Sequence, residues 1–447
     1  MKLLSRRAVV LLILLAAFLG GMVFFAGSFL KNASAWALAP ENRHLYTNGQ
    51  PNAGTISDRN GLVLAKTSGG RRTYSANAAI RTALMPTLGD SGGNVSTGVQ
   101  LVIGKKLLGW NLLNGTYRFG GGAGNIRLTL DANLCAAAYQ ALAGRSGAVA
   151  VYNYKTGELL CMASSPSFDP ENPPDVKADP AKYKGVYLNR ALSAAYTPGS
   201  VFKLVTLAAA LDTIPGVANR TYTCPGVLYT GGGKLVCEEA HGHITLPQAL
   251  SDSCNITFGT LAMEMGAPTL ARYAQKAGFG SSLEIDGIRT APGHVDLSQA
   301  KGVNLGWAGV GQYTDTANPV SYMAYVGAIA NGGVRVTPHL LAGETGARSR
   351  VLSASTAAAV ASMMRNDTLV NYGDGRYPGL QLCAKSGTAQ LSAGQAPNAW
   401  FVGFLNRSDC PLAFAVVIEN GGSGSQAAGP VANTVLQAAV KALTAKK

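Results

Sequence analysis

Ser200 and Lys203 stand three residues apart in Thr197-Pro198-Gly199-Ser200-Val201-Phe202-Lys203, directly ahead of an apolar run through Leu204, Val205, Leu207 and Leu211. Pro-Gly marks a turn, and the run after it reads as a buried helix. Residues i and i+3 at a helix start share one face. The Lys203 amine then comes within reach of the Ser200 hydroxyl and can take its proton. That is the minimum apparatus for a serine nucleophile that works without histidine. The chain has five histidines, none in a suggestive motif, which disfavours a Ser-His-Asp mechanism.

Spacing alone does not single out this pair. S-x-x-K occurs at Ser28/Lys31, Ser200/Lys203 and Ser298/Lys301. S-x-N occurs at Ser75/Asn77 and Ser253/Asn255, and K-[ST]-G at Lys155-Thr156-Gly157 and Lys385-Ser386-Gly387. Two complete sets therefore run in the same order. Residues 8–30 carry no charge and, as a helix, span roughly 35 Å, enough to cross a bilayer. Lys2, Arg6 and Arg7 precede them, which predicts a cytoplasmic N-terminus and an extracytoplasmic remainder. A cleaved signal peptide ending at Ala33-Ser34-Ala35 is the alternative. Ser28 lies at the membrane boundary, where no cleft can form around it. Lys155 falls between two apolar runs joined by a polar glycine turn, the pattern of a β-hairpin. Ser298/Lys301 lacks an S-x-N before Lys385 and is expected on a surface helix.

The second set is coherent. The stretch from Ala249 through Ser253 and Asn255 reads as a helix end running into a loop. Leu382 to Ala389, containing Lys385 to Thr388, reads as a strand in which Gly387 lets a ligand approach the backbone. Two apolar strands follow, at 399–405 and 412–418, then a helix from about residue 431 to 443.

Ser200-x-x-Lys203, Ser253-x-Asn255 and Lys385-Ser386-Gly387 together resemble the serine penicillin-recognising enzymes, specifically class B penicillin-binding proteins. Residues 54–65, residues 156–170, Gly309-Val310-Gly311-Gln312 and residues 328–333 also resemble segments of that family. The resemblance covers most of the chain beyond the membrane segment. One departure is Ala53, where the membrane-proximal signature usually begins with arginine. About 100 residues separate membrane and catalytic segments, too few for the glycosyltransferase domain of a class A form.

The resemblance implies a D,D-transpeptidase. Ser200 attacks the D-alanyl-D-alanine carbonyl of a peptidoglycan stem peptide and releases the last alanine. Lys203 is the expected general base, which needs its pKa lowered by burial or a neighbouring cation, and Lys385 is placed to be that cation. Ser253 is expected to relay a proton to the leaving amine and Asn255 to hold the substrate amide. The N–H groups of Ser200 and Thr388 would form the oxyanion hole. Lys385, Ser386 and Thr388 would bind the terminal carboxylate, and a neighbouring stem peptide's amine would take the acyl group. β-Lactams are the expected covalent inhibitors. The family also implies a polytopic membrane glycosyltransferase as partner.

The competing readings are a β-lactamase or D,D-carboxypeptidase, and a penicillin sensor or scaffold. A β-lactamase of the class A type needs a glutamate roughly 35 residues after S-x-N. That neighbourhood is Leu283-Glu284-Ile285-Asp286-Gly287, without the usual asparagine partner.

All seven cysteines follow the membrane segment, where disulfides are permitted. Cys224 and Cys237 flank a glycine-rich turn and could close a hairpin. With His241 and His243 they could instead suggest zinc, but their order and spacing differ from the usual finger, and no metal or cofactor is expected. Cys254 is expected as a free thiol beside the cleft, and Cys135, Cys161, Cys383 and Cys410 in the core. The net charge of +14 comes without a basic run beyond the membrane segment, so no nucleic-acid partner is expected. The glycine clusters at 120–124 and 421–425 lack the G-K-[ST] ending of a phosphate loop and read as loops.

The expected fold class is α+β. A cytoplasmic tail (1–7) leads into a transmembrane anchor (8–30) and an elongated membrane-proximal pedestal (31–128). A β-lactamase/transpeptidase-like domain (129–447) follows, an antiparallel sheet with helices on both sides. The pedestal is the least legible part, with weak periodicity at 84–108 and 112–117.

Overall fold

The computed structural model describes residues 2–38, 53–68, 71–108, 124–230, 232–391 and 394–445. Helix α1 (Lys2–Leu38) opens the chain. Its segment Arg6–Asn32 reaches a mean hydropathy of 2.8 and buries nothing against the rest of the protein. Such a face is stable only where something other than water covers it. The expected span 8–30 lies inside this segment.

Strands β1 (Ile56–Ser57), β2 (Val63–Ser68) and β3 (Arg71–Tyr74) lead into helix α2 (Ala78–Leu88) and strand β4 (Ile126–Arg127). The four strands form one sheet in the order β3-β2-β1-β4. Asn77 caps α2 by accepting from the Ala79 and Ile80 N–H groups, the ordinary use of asparagine at a helix start. That accounts for the Ser75-Ala76-Asn77 pattern. The weakly periodic stretch 84–108 resolves into the end of α2 and two short helices, Val99–Val102 and Gly104–Leu108. Residues 112–117 and 120–123 lie outside the described residues.

Helix α3 (Ala132–Leu142) precedes the hairpin of β5 (Gly147–Asn153) and β6 (Leu159–Ser165). Lys155 sits in its turn and donates to Asn331 Oδ1 at 2.8 Å, at the surface as expected. Helix α4 (Lys203–Thr213) follows. Strands β7 (Thr221–Cys224), β8 (Val227–Thr230), β9 (Gly233–Val236) and β10 (Gly242–Thr245) pair as two ribbons, β7 with β10 and β8 with β9. Then come α5 (Leu246–Ser251), α6 (Asn255–Met265), α7 (Pro319–Ala330) and α8 (Ala354–Asp367). Ser298 and Lys301 lie on a loop, not the expected surface helix: the Ser298 N–H donates to Asp296 at 2.9 Å, and the next helix starts at Val303. The Asp296 side chain captures a backbone donor that a helix would need.

Strands β11 (Leu382–Ala389), β12 (Asn398–Leu405) and β13 (Leu412–Ile418) complete the main sheet, and α9 (Gly429–Thr444) ends the chain. The sheet order is β11-β12-β13-β5-β6, antiparallel throughout. Every residue of β12 and β13 is buried, which is why they read as unbroken apolar runs rather than alternating ones. Helices cover both faces. On one, Tyr152 of β5 donates to Ala324 O of α7 at 3.3 Å. On the other, Cys161 of β6, opposite Val151, reaches Leu134 O of α3. This is the α+β arrangement expected. One continuous core runs from Ile56 through the main sheet to Ala439, so the sheet of residues 56–127 is packed onto the larger part.

Candidate active site

Ser200 sits in a single 3-10 turn, Gly199–Phe202, that runs directly into α4. Three contacts fix this turn. Trp400 Nε1 of β12 donates to Thr197 O at 2.9 Å, Tyr322 of α7 donates to Val201 O at 2.6 Å, and the Gly199 N–H donates to Gly311 O at 3.0 Å. Gly311 has a φ of +73° and no room for a side chain: a Cβ would stand 2.4 Å from Gly199 O. The Gly309–Gln312 segment thus serves as the floor of the nucleophile turn.

Lys203 is fully buried. Its Nζ lies 2.9 Å from Ser200 Oγ, 3.0 Å from Ser253 Oγ, 2.5 Å from Ser253 O and 2.8 Å from Asn255 Oδ1. Burial, together with the Lys385 ammonium, lowers its pKa to about 7. The neutral amine has two N–H donors and one lone pair. Ser253 O and Asn255 Oδ1 can only accept, so they take the two hydrogens. The lone pair is left facing the hydroxyls, where it can accept the Ser200 proton.

The S-x-N segment joins α5 to α6. Ser253 adopts a left-handed backbone (φ 51°), a strained choice for serine that costs on the order of 1–2 kcal/mol. In that conformation its hydroxyl and its carbonyl both face Lys203. Asn255 is held at both ends, since its Nδ2 donates to Val236 O at 2.8 Å. The side chain thereby positions the Lys203 amine while it lines the cleft.

Lys385, Ser386, Gly387 and Thr388 lie on β11, the sheet edge beside the nucleophile turn. Gly387 is required by close approach: a Cβ there would lie 2.8 Å from Pro198 O and 3.0 Å from Val201 Cγ1. Lys385 is 2% exposed and lies 3.7 Å from Asp367 Oδ2. Asp367, wholly buried at the end of α8, accepts from Asn371 Nδ2 at 2.7 Å and from Tyr372 Oη at 3.3 Å. Burial raises its pKa, and Lys385 pulls the other way. The Tyr372 hydroxyl accepts from the Ser386 N–H at 2.9 Å and lies 3.0 Å from Ser386 Oγ. Asp367, Asn371 and Tyr372 therefore anchor the Lys385–Thr388 strand, and the sequence reading did not find them. Asp367 immediately precedes, and Asn371 and Tyr372 lie on, a π-helical turn, Thr368–Tyr372, that no residue spacing announces.

All eight residues singled out in the sequence meet at one place: Ser200, Lys203, Ser253, Asn255, Lys385, Ser386, Gly387 and Thr388. A cleft of about 900 Å³ opens onto Ser200, Ser253, Asn255, Ser386 and Thr388, with Trp307 and Gln312 on its wall.

The cysteines meet expectation in part. None of the seven is in a disulfide, and Cys224 and Cys237 do not close the hairpin. Cys254 is a free thiol beside the cleft, as expected, and it is wholly buried, turned toward Cys237 at 3.7 Å between sulfurs. The reversal of side chains between Ser253 and Asn255 turns the middle residue away from the substrate. His243 bonds Thr223 Oγ1 at 3.1 Å, and it is His241 that meets Cys224. Cys135, Cys161, Cys383 and Cys410 are buried in the core, as expected.

The penicillin binding protein transpeptidase domain family matches residues 147–437, and the chain belongs to that family. It is 29% identical over 360 residues to the peptidoglycan D,D-transpeptidase PbpA of Mycobacterium tuberculosis, covering 71% of this chain and 73% of that protein. It is 28% identical over 359 residues to the peptidoglycan D,D-transpeptidase MrdA of Acinetobacter baumannii, covering 69% of this chain and 53% of that protein. Among solved structures, penicillin-binding protein A from M. tuberculosis as a ceftriaxone acyl-enzyme superposes with a TM-score of 0.75 at 25% identity, over 87% of this chain and 98% of that one. The D,D-transpeptidase domain of a peptidoglycan glycosyltransferase from Eggerthella lenta gives a TM-score of 0.72 at 28% identity, also over 87% and 98%.

Proposed function

We propose that this chain is a peptidoglycan D,D-transpeptidase that crosslinks stem peptides through an acyl-enzyme on Ser200. The observation that carries the reading is the buried Lys203 amine, lowered to about 7 and 2.9 Å from Ser200 Oγ. Ser200 loses its proton to Lys203 and adds to the D-alanyl-D-alanine carbonyl. The N–H groups of Ser200 and Thr388 receive the oxyanion. Lys203, through Ser253, returns the proton to the leaving D-alanine. An acceptor amine then attacks the acyl-enzyme and Ser200 is released. Lys385, Ser386 and Thr388 face the substrate carboxylate, and β-lactams acylate the same serine.

The β-lactamase alternative needs a base that delivers water to the acyl-enzyme. Glu284 is exposed, 3.6 Å from Arg289 and not part of the cleft wall, and Asp286 accepts from the Leu340 and Leu341 N–H groups. Neither side chain serves that role.

The division of the chain is part of the proposal: tail 1–7, anchor 8–30, pedestal 31–128 and catalytic domain 129–447. The separate sheet of residues 56–127 and the family match from residue 147 support it. The uncovered apolar span and the preceding Arg6 and Arg7 support a single pass with a cytoplasmic N-terminus. A polytopic membrane glycosyltransferase is the partner that the family resemblance implies for that anchor and pedestal.

The test is labelling of the full chain in detergent with a fluorescent penicillin. An adduct on Ser200 that persists for many minutes and vanishes in Ser200→Ala is expected, along with exchange of a D-amino acid into a stem peptide. Rapid loss of the label would instead indicate a β-lactamase, and no adduct would overturn the acyl-enzyme.

A further inference from the structure

Behind the wall of the cleft that carries Ser253, four side chains with metal-binding atoms converge. Cys224 ends β7, Cys237 follows β9, His241 precedes β10, and Cys254 precedes α6. Their ligand atoms all lie within 4.8 Å of one another. The Cys237 and Cys254 sulfurs are 3.7 Å apart, and His241 Nδ1 is 3.2 Å from Cys224 Sγ. Thiolate and imidazole ligands at about 2.0–2.3 Å from Zn²⁺ in a tetrahedron stand roughly 3.4–3.8 Å from each other. A disulfide needs about 2.05 Å. The two close pairs stand near ligand-shell spacing and far from disulfide length, and all four atoms lie close enough to contract onto one ion.

A second observation points the same way. The Asn255 and Ile256 N–H groups approach Cys237 Sγ at 3.1 and 3.4 Å. The Thr257 N–H and hydroxyl approach Cys254 Sγ at 3.4 and 3.3 Å. Four donors at the N-terminus of an eleven-residue helix surround two sulfurs, the kind of outer shell that orients metal-bound ligands. The sulfur-rich set excludes Mg²⁺ and Ca²⁺, which take oxygen. Cys237 and His241 also border the cleft, which gives an ion a way in.

We propose that Cys224, Cys237, His241 and Cys254 bind one Zn²⁺ tetrahedrally, and that the ion holds the S-x-N segment in place. On binding, each thiol yields its proton to solvent as its sulfur bonds the metal, and neutral His241 completes the shell through Nδ1. Cys254 is the residue between Ser253 and Asn255, so the metal fixes the turn that presents both to Lys203. The loop bearing both Cys237 and His241 has no disulfide to α6.

The experiment uses the full chain in detergent. Elemental analysis should find one zinc per chain. The zinc-free chain titrated with Co²⁺ should show thiolate-to-metal charge-transfer bands and the visible bands of a tetrahedral site. Neither reading depends on a variant. His241→Ala and Cys224→Ser should each weaken zinc binding about tenfold or more. No retained metal together with no cobalt–thiolate bands would overturn the site, as would a Cys237–Cys254 disulfide found by mass spectrometry in the chain as purified. The positioning half rests on the acyl-enzyme reading, whereas the metal content does not. Removing zinc should slow Ser200 labelling by penicillin about tenfold or more, with zinc restoring it. Unchanged labelling by the zinc-free chain would overturn that half.

Discussion

Lys203 Nζ stands 3.0 Å from Ser253 Oγ while it also lies 2.9 Å from Ser200 Oγ, so one amine bridges the hydroxyl of the nucleophile turn and that of the segment joining α5 to α6. That bridge is a route for a proton in both directions. It takes the proton from the nucleophile as the acyl-enzyme forms and offers one to the departing amine through Ser253. It works only while the amine is neutral.

This sets the pH dependence. Burial and the Lys385 charge lower the Lys203 pKa to about 7, so the working neutral form is lost below that value. Acylation of Ser200 should therefore fall about tenfold per pH unit in the acid limb and level off above pH 7 to 8. Stopped-flow labelling across pH reads this directly. Lys203→Ala should cost about 10²–10⁴ in acylation rate and abolish the acid limb. Acylation that survives in that variant would place the base elsewhere.

Gly387→Ala should separate the two walls of the site. The added methyl would stand 2.8 Å from Pro198 O, backbone that cannot yield without moving the nucleophile turn. The Thr388 N–H then leaves the oxyanion position, and loss of one such donor costs about 10²–10³ in rate. Acylation kinetics measure the effect. A rate near that of the unaltered chain would show that the strand and the turn do not need this contact.

Asp367→Ala removes the partner of a buried ammonium. Lys385 would be left 2% exposed without its carboxylate, and breaking a buried pair from one side costs about 3–5 kcal/mol. The thermal midpoint should drop on the order of 10 °C in a domain of this size. Penicillin binding should weaken as well, because Tyr372 and Asn371 lose the group that orders them. Differential scanning fluorimetry in detergent gives the first readout and labelling the second.

Glu284→Gln tests whether the class A position supplies a deacylating base. Glu284 is exposed and pairs with Arg289 at 3.6 Å, so the substitution should leave the lifetime of the penicillin adduct unchanged. A longer-lived adduct in this variant would make Glu284 a deacylating base.

The catalytic residues were legible because their chemistry is local. Ser200 and Lys203 are one helical turn apart, and Lys385 to Thr388 occupy four consecutive strand positions. Apolar runs at 399–405 and 412–418 marked central strands, since both faces of the sheet are covered. Residues 8–30 marked the candidate membrane span by the absence of charge alone. The decoy set fell to context, and the structure shows why: Asn77 is spent on capping α2, and Lys155 on a hairpin turn.

Tertiary structure decided what depends on segments far apart in the chain. Asp367 meets Lys385 only because the end of α8 is folded against the sheet edge. Gly311 underlies Ser200 across more than a hundred residues. Cys224, the loop carrying Cys237 and His241, and Cys254 are three separate chain segments, and no spacing rule links them. The sequence determined which side chains carry the chemistry, because local spacing sets which groups share a turn or a strand. Only the packing of sheet, helices and ribbons set the lowered pKa of Lys203 and the surroundings of the Ser253 turn. Desolvation and convergence belong to the folded chain and to no stretch of it.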